Sequence, residues 1–188
     1  MGKSFDQLDG DLITFIKAQK IFFVATAPLA ANGHVNVSPK GYDSLSVIDN
    51  HTVAYLDLGG SGIETQAHTR ENGRITLMFC AFEGKANIVR IFGRGKAVPF
   101  TDPRFADLLK RFPDYQRARA IIIIDIDHVM DSCGWGVPFF DFKGERDQLR
   151  RNVDFRTFED WTEHRFNTNA TSLDGLPGLT RPEASEAQ

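Results

Sequence analysis

A short segment rich in glycine and hydroxyl side chains carries the clearest chemical signal in this chain. Residues 59–65 read GGSGIET, a flexible loop that leads directly into a predicted helix. Glycines let a ligand approach the backbone closely, and a helix start offers free N–H groups and the positive end of the helix dipole. The segment therefore predicts a phosphate-binding site, and the alternative left open is a strand-to-helix turn that binds nothing.

The start of that helix carries its own sequence signature. Ser61 and Glu64 have the spacing of a capping box, in which the serine is the N-cap and the glutamate lies three residues later. We expect the helix to run from Ile63 to Asn72 and to end at Gly73.

Composition excludes several classes of protein. The chain has 188 residues and a formal net charge of −3, with no basic arm, which argues against nucleic acid or an anionic membrane as the main partner. Its two cysteines, Cys80 and Cys133, fit a reduced cytoplasmic protein, and neither has metal-ligand spacing. The polar, acidic N-terminus does not resemble a secretory signal, and the apolar run at residues 121–126 is too short to span a bilayer.

Alternating apolar segments and turn signals predict the elements that position the loop. Short strands follow one another closely and are not separated by regular crossover helices, which favours a Greek-key barrel over a doubly wound sheet. The pair Asn32-Gly33 predicts a hairpin. The expected strands are 21–26, 34–38, 44–48, 52–57, 74–82, 88–98 and 118–130, and the expected helices are 5–18, 63–72 and 102–112.

The C-terminal third differs in character from the rest. Residues 145–164 alternate charged and large apolar residues and are expected to be helical, packed against the barrel or a partner subunit. The final residues, 182–188, contain no core-forming side chains and are expected to be disordered. We therefore predict a barrel domain over 1–143, an extension over 144–181 and a disordered tail.

Four blocks in order give the chain a family resemblance. The sequences NVSPKGYD at 36–43, VAYLD at 53–57, RENGR at 70–74 and IVRIFG at 88–93 resemble the pyridoxamine 5'-phosphate oxidase-like family of FMN-binding split barrels. The resemblance covers roughly residues 10–135. The segments SCGWGVP at 132–138 and NATSLDGLPGL at 169–179 are similar to a bacterial subgroup rather than to the true oxidases. The resemblance implies a mainly β, six- to seven-stranded split barrel and a homodimer holding two FMN molecules between its barrels.

The same resemblance implies positions for the flavin phosphate. In this family the phosphate lies near the start of the helix that follows the 53–57 strand, so Ser61, Gly62 and Thr65 are the expected contacts. Lys40 matches a lysine that closes the first flavin-contacting strand, where a cation would stabilise negative charge on the ring or the phosphate. The alternative for Lys40 is an ordinary exposed lysine.

Further residues match positions along the edge of the flavin ring. Ser38, Tyr55, Leu56 and Asp57 are expected there, although plain barrel core is the alternative for Tyr55 and Leu56. Arg90 has apolar neighbours on both sides in its strand, so it is expected to contact the flavin phosphate or to form a salt bridge across the dimer, and simple exposure is the alternative.

A glycine-flanked tryptophan follows the most hydrophobic strand. Trp135 is expected to stack on the partner's flavin or to fill the dimer interface, and the two remain equally open. The adjacent Cys133 has no basic neighbour in sequence nearer than His128, and we expect it to be inert.

Three departures separate the chain from the true oxidases. Those enzymes carry an arginine where Asn36 stands, and an arginine-lysine pair near Glu64 and Thr65. They also end in an arginine-bearing segment that closes over pyridoxal phosphate, with no counterpart in residues 144–188. We therefore expect helix amides, hydroxyl groups, Lys40 and Arg90 to hold the phosphate instead.

The leading functional hypothesis is an FMN-dependent oxidoreductase. Hydride would pass between the flavin and an unidentified small molecule, with dioxygen or a nicotinamide nucleotide completing the cycle. No catalytic side chain is predicted, because the sequence has no serine-histidine-aspartate order and no convincing carboxylate pair. The alternatives are a non-catalytic flavin or haem carrier and a diverged pyridoxamine 5'-phosphate oxidase.

Overall fold

The structure is a computed structural model that describes residues 2–113 and 117–182. Within these ranges the chain forms eight strands and five helices. The strands are β1 (Ser4–Phe5), β2 (Phe22–Thr26), β3 (Asn36–Lys40), β4 (Leu45–Asp49), β5 (Thr52–Asp57), β6 (Arg74–Cys80), β7 (Ile88–Pro99) and β8 (Ala120–Ser132). The helices are α1 (Gly10–Ala18), α2 (Glu64–Glu71), α3 (Phe105–Leu109), α4 (Gln148–Asp154) and α5 (Phe158–Thr168).

A single antiparallel sheet forms the body of the molecule. Its strand order is β3-β2-β6-β7-β8-β5-β4, and the two-residue β1 pairs separately with β8. The long central strand β8 pairs with β7 on one side and with β5 on the other. The sheet curls into a split barrel with flanking helices, which confirms the predicted fold class, while the homodimer stays a prediction.

The isoleucine run of β8 explains why this strand lies at the centre. Successive side chains of a strand point to opposite faces. Ile122 and Ile124 pack in the barrel interior, whereas Ile121 lies in a second cluster on the other face of the sheet, and all three are fully buried. The isoleucine run is buried on both faces and is accordingly apolar, whereas Asp125 and Asp127, further along the strand, are exposed.

Two predicted helices are clearly shorter in the structure, whereas α2 differs from the predicted 63–72 by one residue at each end. α1 begins at Gly10 rather than near Phe5, because the Asp9 carboxylate caps it by accepting from the Leu12 amide at 2.8 Å. Residues before the cap are used differently, since Ser4–Phe5 pairs with β8. α3 covers only Phe105–Leu109 of the predicted 102–112.

The hairpin predicted at Asn32-Gly33 is present as β2 and β3, paired antiparallel. The returning strand begins at Asn36 rather than His34. The His34 side chain and amide are held instead by the Asp174 carboxylate, at 2.6 and 2.7 Å. This contact ties the hairpin to the C-terminal segment.

The C-terminal extension is helical, as predicted, and packs on the barrel of the same chain. Trp161 of α5 is 1% exposed, and its ring lies edge-on to Phe100, at 5.2 Å between centroids. The division into domains stays a prediction, and residues 183–188 of the tail expected to be disordered lie outside the described residues.

Throughout the described ranges, we find no helix with the length and apolar character needed to cross a membrane.

Candidate functional site

A cleft of about 360 Å³ opens where β3, the end of β5 and residues 59–63 meet. We refer to residues 59–63 as the glycine loop. Its lining includes six of the residues that the sequence predicted to bind the cofactor, together with residues that were not predicted. The lining residues are Asn36, Ser38, Pro39, Lys40, Asp57, Gly59, Gly60, Ser61, Gly62, Glu64, Thr65 and Arg119.

The alternation of β3 supplies one wall of the cleft. Asn36, Ser38 and Lys40 are each half-buried, whereas Val37 between them is 63% exposed on the opposite face. The period of two along a strand therefore places an amide, a hydroxyl and an ammonium group in a row. These are the side-chain types that bind polar and anionic ligands.

A buried ion pair forms the floor of the cleft. The Arg119 Nη2 and Nε atoms donate to Asp57 Oδ2 at 2.9 and 3.2 Å, and both side chains are at most 5% exposed. Gln66 Nε2 donates to the same oxygen at 3.2 Å, and Lys40 Nζ lies 3.7 Å from Asp57 Oδ1.

These partners determine the charge state of Asp57. Burial alone would raise its pKa, but the charges of Arg119 and Lys40, together with hydrogen bonds, lower the pKa far below the ordinary value. Asp57 is therefore a fixed anion at neutral pH and a poor proton acceptor.

The glycine loop turns its carbonyl groups toward buried side chains. Arg165 Nη1 donates to the Gly60 carbonyl at 3.0 Å, Asn169 Nδ2 lies 3.4 Å from the Ser61 carbonyl, and Arg119 Nη1 donates to the Gly62 carbonyl at 2.6 Å. The C=O and N–H groups of a trans peptide unit point in opposite directions. The amides that follow these carbonyls therefore face away from the buried side chains.

Those amides are free to bind a ligand. The N–H groups of Ser61, Gly62 and Ile63 donate no hydrogen bond to any residue that the structure describes. Ser61 and Gly62 are exposed, whereas Ile63, which immediately precedes α2, is 1% exposed. Consecutive unpaired amides next to a helix start form a concave site for an anion.

The predicted capping box is wrong. The N-cap of α2 is Ile63, with no side-chain capping bond, and Glu64 is the first helical residue. The Ser61 carbonyl faces Asn169, and Glu64 Oε1 accepts from the Leu173 amide at 3.1 Å. Contacts with the C-terminal segment, rather than reciprocal capping, therefore determine the conformation of the loop.

Three hydroxyl groups in or behind the cleft differ in their hydrogen bonding. Thr65 Oγ1 accepts from Asn36 Nδ2 at 3.1 Å, so it is partly satisfied. The buried Tyr55 hydroxyl interacts with the Thr65 side chain. Ser38 Oγ is buried and has no hydrogen-bond partner within residues 2–113 and 117–182. Buried polar atoms are rarely left unpaired, so a polar ligand group is the expected partner of Ser38 in the cleft wall.

The side chains of Tyr55 and Leu56 belong to the core. Tyr55 is fully buried in the barrel interior, and burial, followed by the charge of Asp57, raises its pKa well above the ordinary value. Lys40 Nζ lies 5.5 Å from the centroid of its ring. Leu56 points into the second cluster. Barrel core, the alternative interpretation, therefore describes both side chains.

Two predicted site residues lie away from the cleft. Arg90 is half-buried in β7 and donates to Ser132 Oγ at 3.2 Å. Trp135 is 85% exposed and follows Gly134, whose positive φ of 63° forms the turn. Neither lines the cleft of its own chain, so their predicted roles require a partner subunit.

Sequence reasoning missed Arg119, Arg165 and Asn169. Arg119 had a usable signal, because a lone arginine between two alanines, directly before an apolar run, needs a carboxylate partner if it is buried. Asp57 at the end of apolar β5 was the available carboxylate. Arg165 carried no comparable signal, since it is an ordinary polar residue near the end of an amphipathic helix. Asn169 begins the 169–179 block noted for its resemblance, but nothing in that block pointed to the glycine loop.

Comparison with known proteins agrees with this architecture. The family model described as pyridoxamine 5'-phosphate oxidase matches residues 8–133. The pyridoxamine 5'-phosphate oxidase family protein UstO of Aspergillus flavus is 39% identical over 192 aligned residues, covering 93% of this chain and 77% of that protein. This relative is fungal, so the similarity extends beyond bacteria.

Solved structures share the fold at lower identity. HupZ of Group A Streptococcus is 22% identical with a TM-score of 0.51, covering 65% of this chain and 91% of that one. A candidate pyridoxamine 5'-phosphate oxidase from Lactobacillus delbrueckii is 17% identical with a TM-score of 0.50, covering 66% and 94%. From the family model and the 39% identical relative, the chain belongs to the pyridoxamine 5'-phosphate oxidase family.

Proposed function

We propose that the protein binds FMN in the cleft and transfers hydride between the flavin and a small molecule. The observation that carries this proposal is the row of unpaired amides at residues 61–63, adjacent to the unpaired hydroxyl of Ser38. The amides fit a phosphate, and the β3 side chains fit the polar edge of a flavin ring. Membership of the family adds support that is independent of the cleft.

The chain's own residues hold and orient the cofactor. Ser61, Gly62 and the start of α2 receive the phosphate, while Ser38 and Lys40 lie along the wall that the ring would follow. The Lys40 side chain is 19% exposed and only loosely paired with Asp57, so its ammonium group can still stabilise negative charge on a ligand. When bound, the flavin supplies the hydride chemistry.

No side chain of the cleft is a convincing acid or base. Asp57 is neutralised by Arg119, and Glu64 is engaged by the Leu173 amide. This observation favours cofactor-only chemistry, and it equally suits a non-catalytic flavin carrier. Mixing the flavin-loaded protein with NADH or NADPH without oxygen separates the two, because rapid bleaching of the flavin band supports the oxidoreductase and no bleaching supports the carrier.

The vitamin B6 reaction is a third possibility that the cleft does not favour. Asn36 lines the cleft where the true oxidases have an arginine, and its amide is bonded to Thr65. We expect no hydrogen peroxide from pyridoxamine 5'-phosphate when the flavin-loaded protein is assayed in air. Turnover comparable with that of a true oxidase would contradict this expectation.

We further propose that the functional unit is a homodimer. The outer face of the sheet presents Val37 at 63% exposure and Met130 at 41%, near the half-buried Arg90. Such apolar exposure on a sheet face is typical of an interaction surface. Light scattering during gel filtration tests this, with twice the mass of one chain as the expected result and a monomer at micromolar concentration as the contrary one.

Glu64 gives a prediction specific to the phosphate. Its carboxylate lines the cleft beside Gly62 and would repel a bound phosphate. Replacing it by glutamine keeps an oxygen for the Leu173 amide but removes the charge. We expect Glu64→Gln to tighten FMN binding about 3- to 10-fold, the effect of one partly screened charge. Flavin fluorescence titration measures this.

Riboflavin is the matched control for that titration, because it lacks the phosphate. Its affinity is expected to be unchanged in Glu64→Gln. An equal improvement for riboflavin and FMN would place the phosphate away from α2.

A further inference from the structure

We infer that Arg165 and Asn169 of the C-terminal extension are positioning residues for the glycine loop, residues 59–63, whose amides are proposed to bind the phosphate. This inference rests on the proposed flavin site, and it assigns the extension a role in the selection of phosphate-bearing flavin. Three features support this role: the contacts of the two side chains, their burial and their charge.

The contacts converge on the loop from one side. Arg165 Nη1 donates to the Gly60 carbonyl at 3.0 Å, and Asn169 Nδ2 lies 3.5 and 3.4 Å from the carbonyls of Gly60 and Ser61. The Arg165 guanidinium also covers Gly59, where an added Cβ would lie 3.1 Å from Cζ. Because the N–H group of a trans peptide unit points away from its C=O group, holding these carbonyls also fixes the amides that follow them on the opposite side of the loop.

Gly59 itself is adapted to this contact. Its φ of 87° lies in the left-handed region that favours glycine, and its missing side chain leaves the space into which Arg165 packs. The bend and the close approach occur at the same residue. The conformation of the loop at Gly59 therefore matches the position of the Arg165 side chain of α5.

Burial makes the two side chains unusual. Arg165 is 7% exposed and Asn169 is fully buried. Arg165 Nε has no hydrogen-bond partner, and its guanidinium forms no ion pair with a carboxylate in the part of the chain that the structure describes. Its ring contact is Trp161, at 5.6 Å from the centroid. A buried cation without a counter-ion is costly, so it indicates a function.

The local charge balance indicates an anion as the missing counter-ion. Among the described residues, the cleft and the side chains behind the loop bring together three cations, Lys40, Arg119 and Arg165, and two carboxylates, Asp57 and Glu64. Burial and the neighbouring charge of Arg119 lower the pKa of Arg165. A phosphate bound to the loop amides would lie on the other side of the loop backbone from Arg165. Its negative charge would reduce the repulsion between Arg165 and Arg119.

Asn169 links the two buried arginines. Its Oδ1 accepts from Arg119 Nη1 at 3.0 Å, while its Nδ2 faces the loop carbonyls. Both ends of the amide are therefore used. The floor of the cleft and the loop are held by one connected set of hydrogen bonds, which the extension completes.

The test compares FMN and riboflavin binding to the full-length chain and to three variants. Arg165→Met removes the cation while keeping the volume, Arg165→Lys keeps the charge, and Asn169→Asp keeps the acceptor for Arg119 but loses the donor to the loop. Arg181→Met is the matched control, because Arg181 lies beyond the end of the same helix, bonded to exposed Glu163. Circular dichroism verifies that each variant is folded.

We expect Arg165→Met and Asn169→Asp to weaken FMN binding about tenfold or more, comparable to the loss of one buried charge-assisted contact. Riboflavin binding should change less than about twofold, and Arg165→Lys should recover part of the FMN affinity. Equal losses for both flavins, or no loss, would overturn the inference. Arg181→Met should match the unmodified protein.

Amide hydrogen exchange of the ligand-free protein provides a readout that does not depend on the flavin. Arg165→Met should raise exchange in a peptide covering residues 59–63, whereas Arg181→Met should not. If the unmodified protein binds neither flavin, the proposed function fails, and the exchange result alone decides whether Arg165 holds the loop. Unchanged exchange in Arg165→Met would then reject its positioning role.

Discussion

Arg119→Met is expected to lower the free energy of unfolding by about 3–5 kcal/mol, because it leaves a buried charge without its partner. Asp57 and Arg119 are both nearly inaccessible to solvent, and Arg119 additionally holds the Gly62 carbonyl and Asn169 Oδ1. Methionine fills much of the volume but supplies none of these donors. Urea denaturation at neutral pH measures the loss.

The pH dependence of stability gives this prediction a distinctive sign. In the unmodified protein the pKa of Asp57 is lowered, so the pair stabilises the fold above the unfolded pKa of about 4, and this contribution is lost as the pH falls below it. In Arg119→Met, burial should raise the pKa of Asp57. Its contribution would then be favourable at low pH and lost as the pH rises.

A double variant isolates the pair from its surroundings. Asp57→Asn combined with Arg119→Met should lose clearly less stability than the sum of the two single variants, because no unpaired charge remains. Additive losses, together with an unchanged pH profile in Arg119→Met, would show that Arg119 stabilises the fold through packing and its other hydrogen bonds.

Ser61→Glu is expected to weaken FMN binding about 100-fold or more, since a carboxylate would lie beside the phosphate in a partly enclosed site. Ser61 is exposed, and its side chain makes no hydrogen bond within the described residues. The fold should therefore be retained. Equilibrium dialysis against FMN, with the melting temperature measured in parallel, checks both expectations.

Ser61→Gln separates charge from size in this experiment. Glutamine matches the bulk of glutamate but is neutral, so it should weaken FMN binding much less. Riboflavin binding should decline similarly in both variants, because only bulk affects it. Retention of FMN by Ser61→Glu at the level of the unmodified protein would place the phosphate elsewhere.

The barrel could be predicted from the sequence because the pattern of apolar residues in its strands matches the burial found in the structure. Alternating apolar residues located the strands, and for β5 the predicted 52–57 matches the observed Thr52–Asp57. The ends of elements were harder to predict. The Asp9 carboxylate capped α1 several residues later than its apolar pattern indicated, and Phe5, where that helix was expected to begin, belongs to β1.

The cleft was predictable in part, for a physical reason. Residues close to one another in sequence, such as Ser61 to Thr65, or aligned on one face of a strand, such as Ser38 and Lys40, can be grouped from spacing alone. Arg165 reaches Gly60 across more than a hundred residues, and only the packing of α5 brings them together. The capping box was wrong for the same reason, because long-range contacts with Asn169 and Leu173 determine the loop.

We propose that the cleft between β3 and the glycine loop holds FMN. The most direct test is the visible absorption spectrum of the freshly purified protein, followed by denaturation and chromatographic identification of the released compound. We expect the two-banded spectrum of an oxidised flavin and FMN in the supernatant, or the same spectrum after incubation with FMN and removal of the excess. A colourless protein that also fails to retain added FMN would contradict the account.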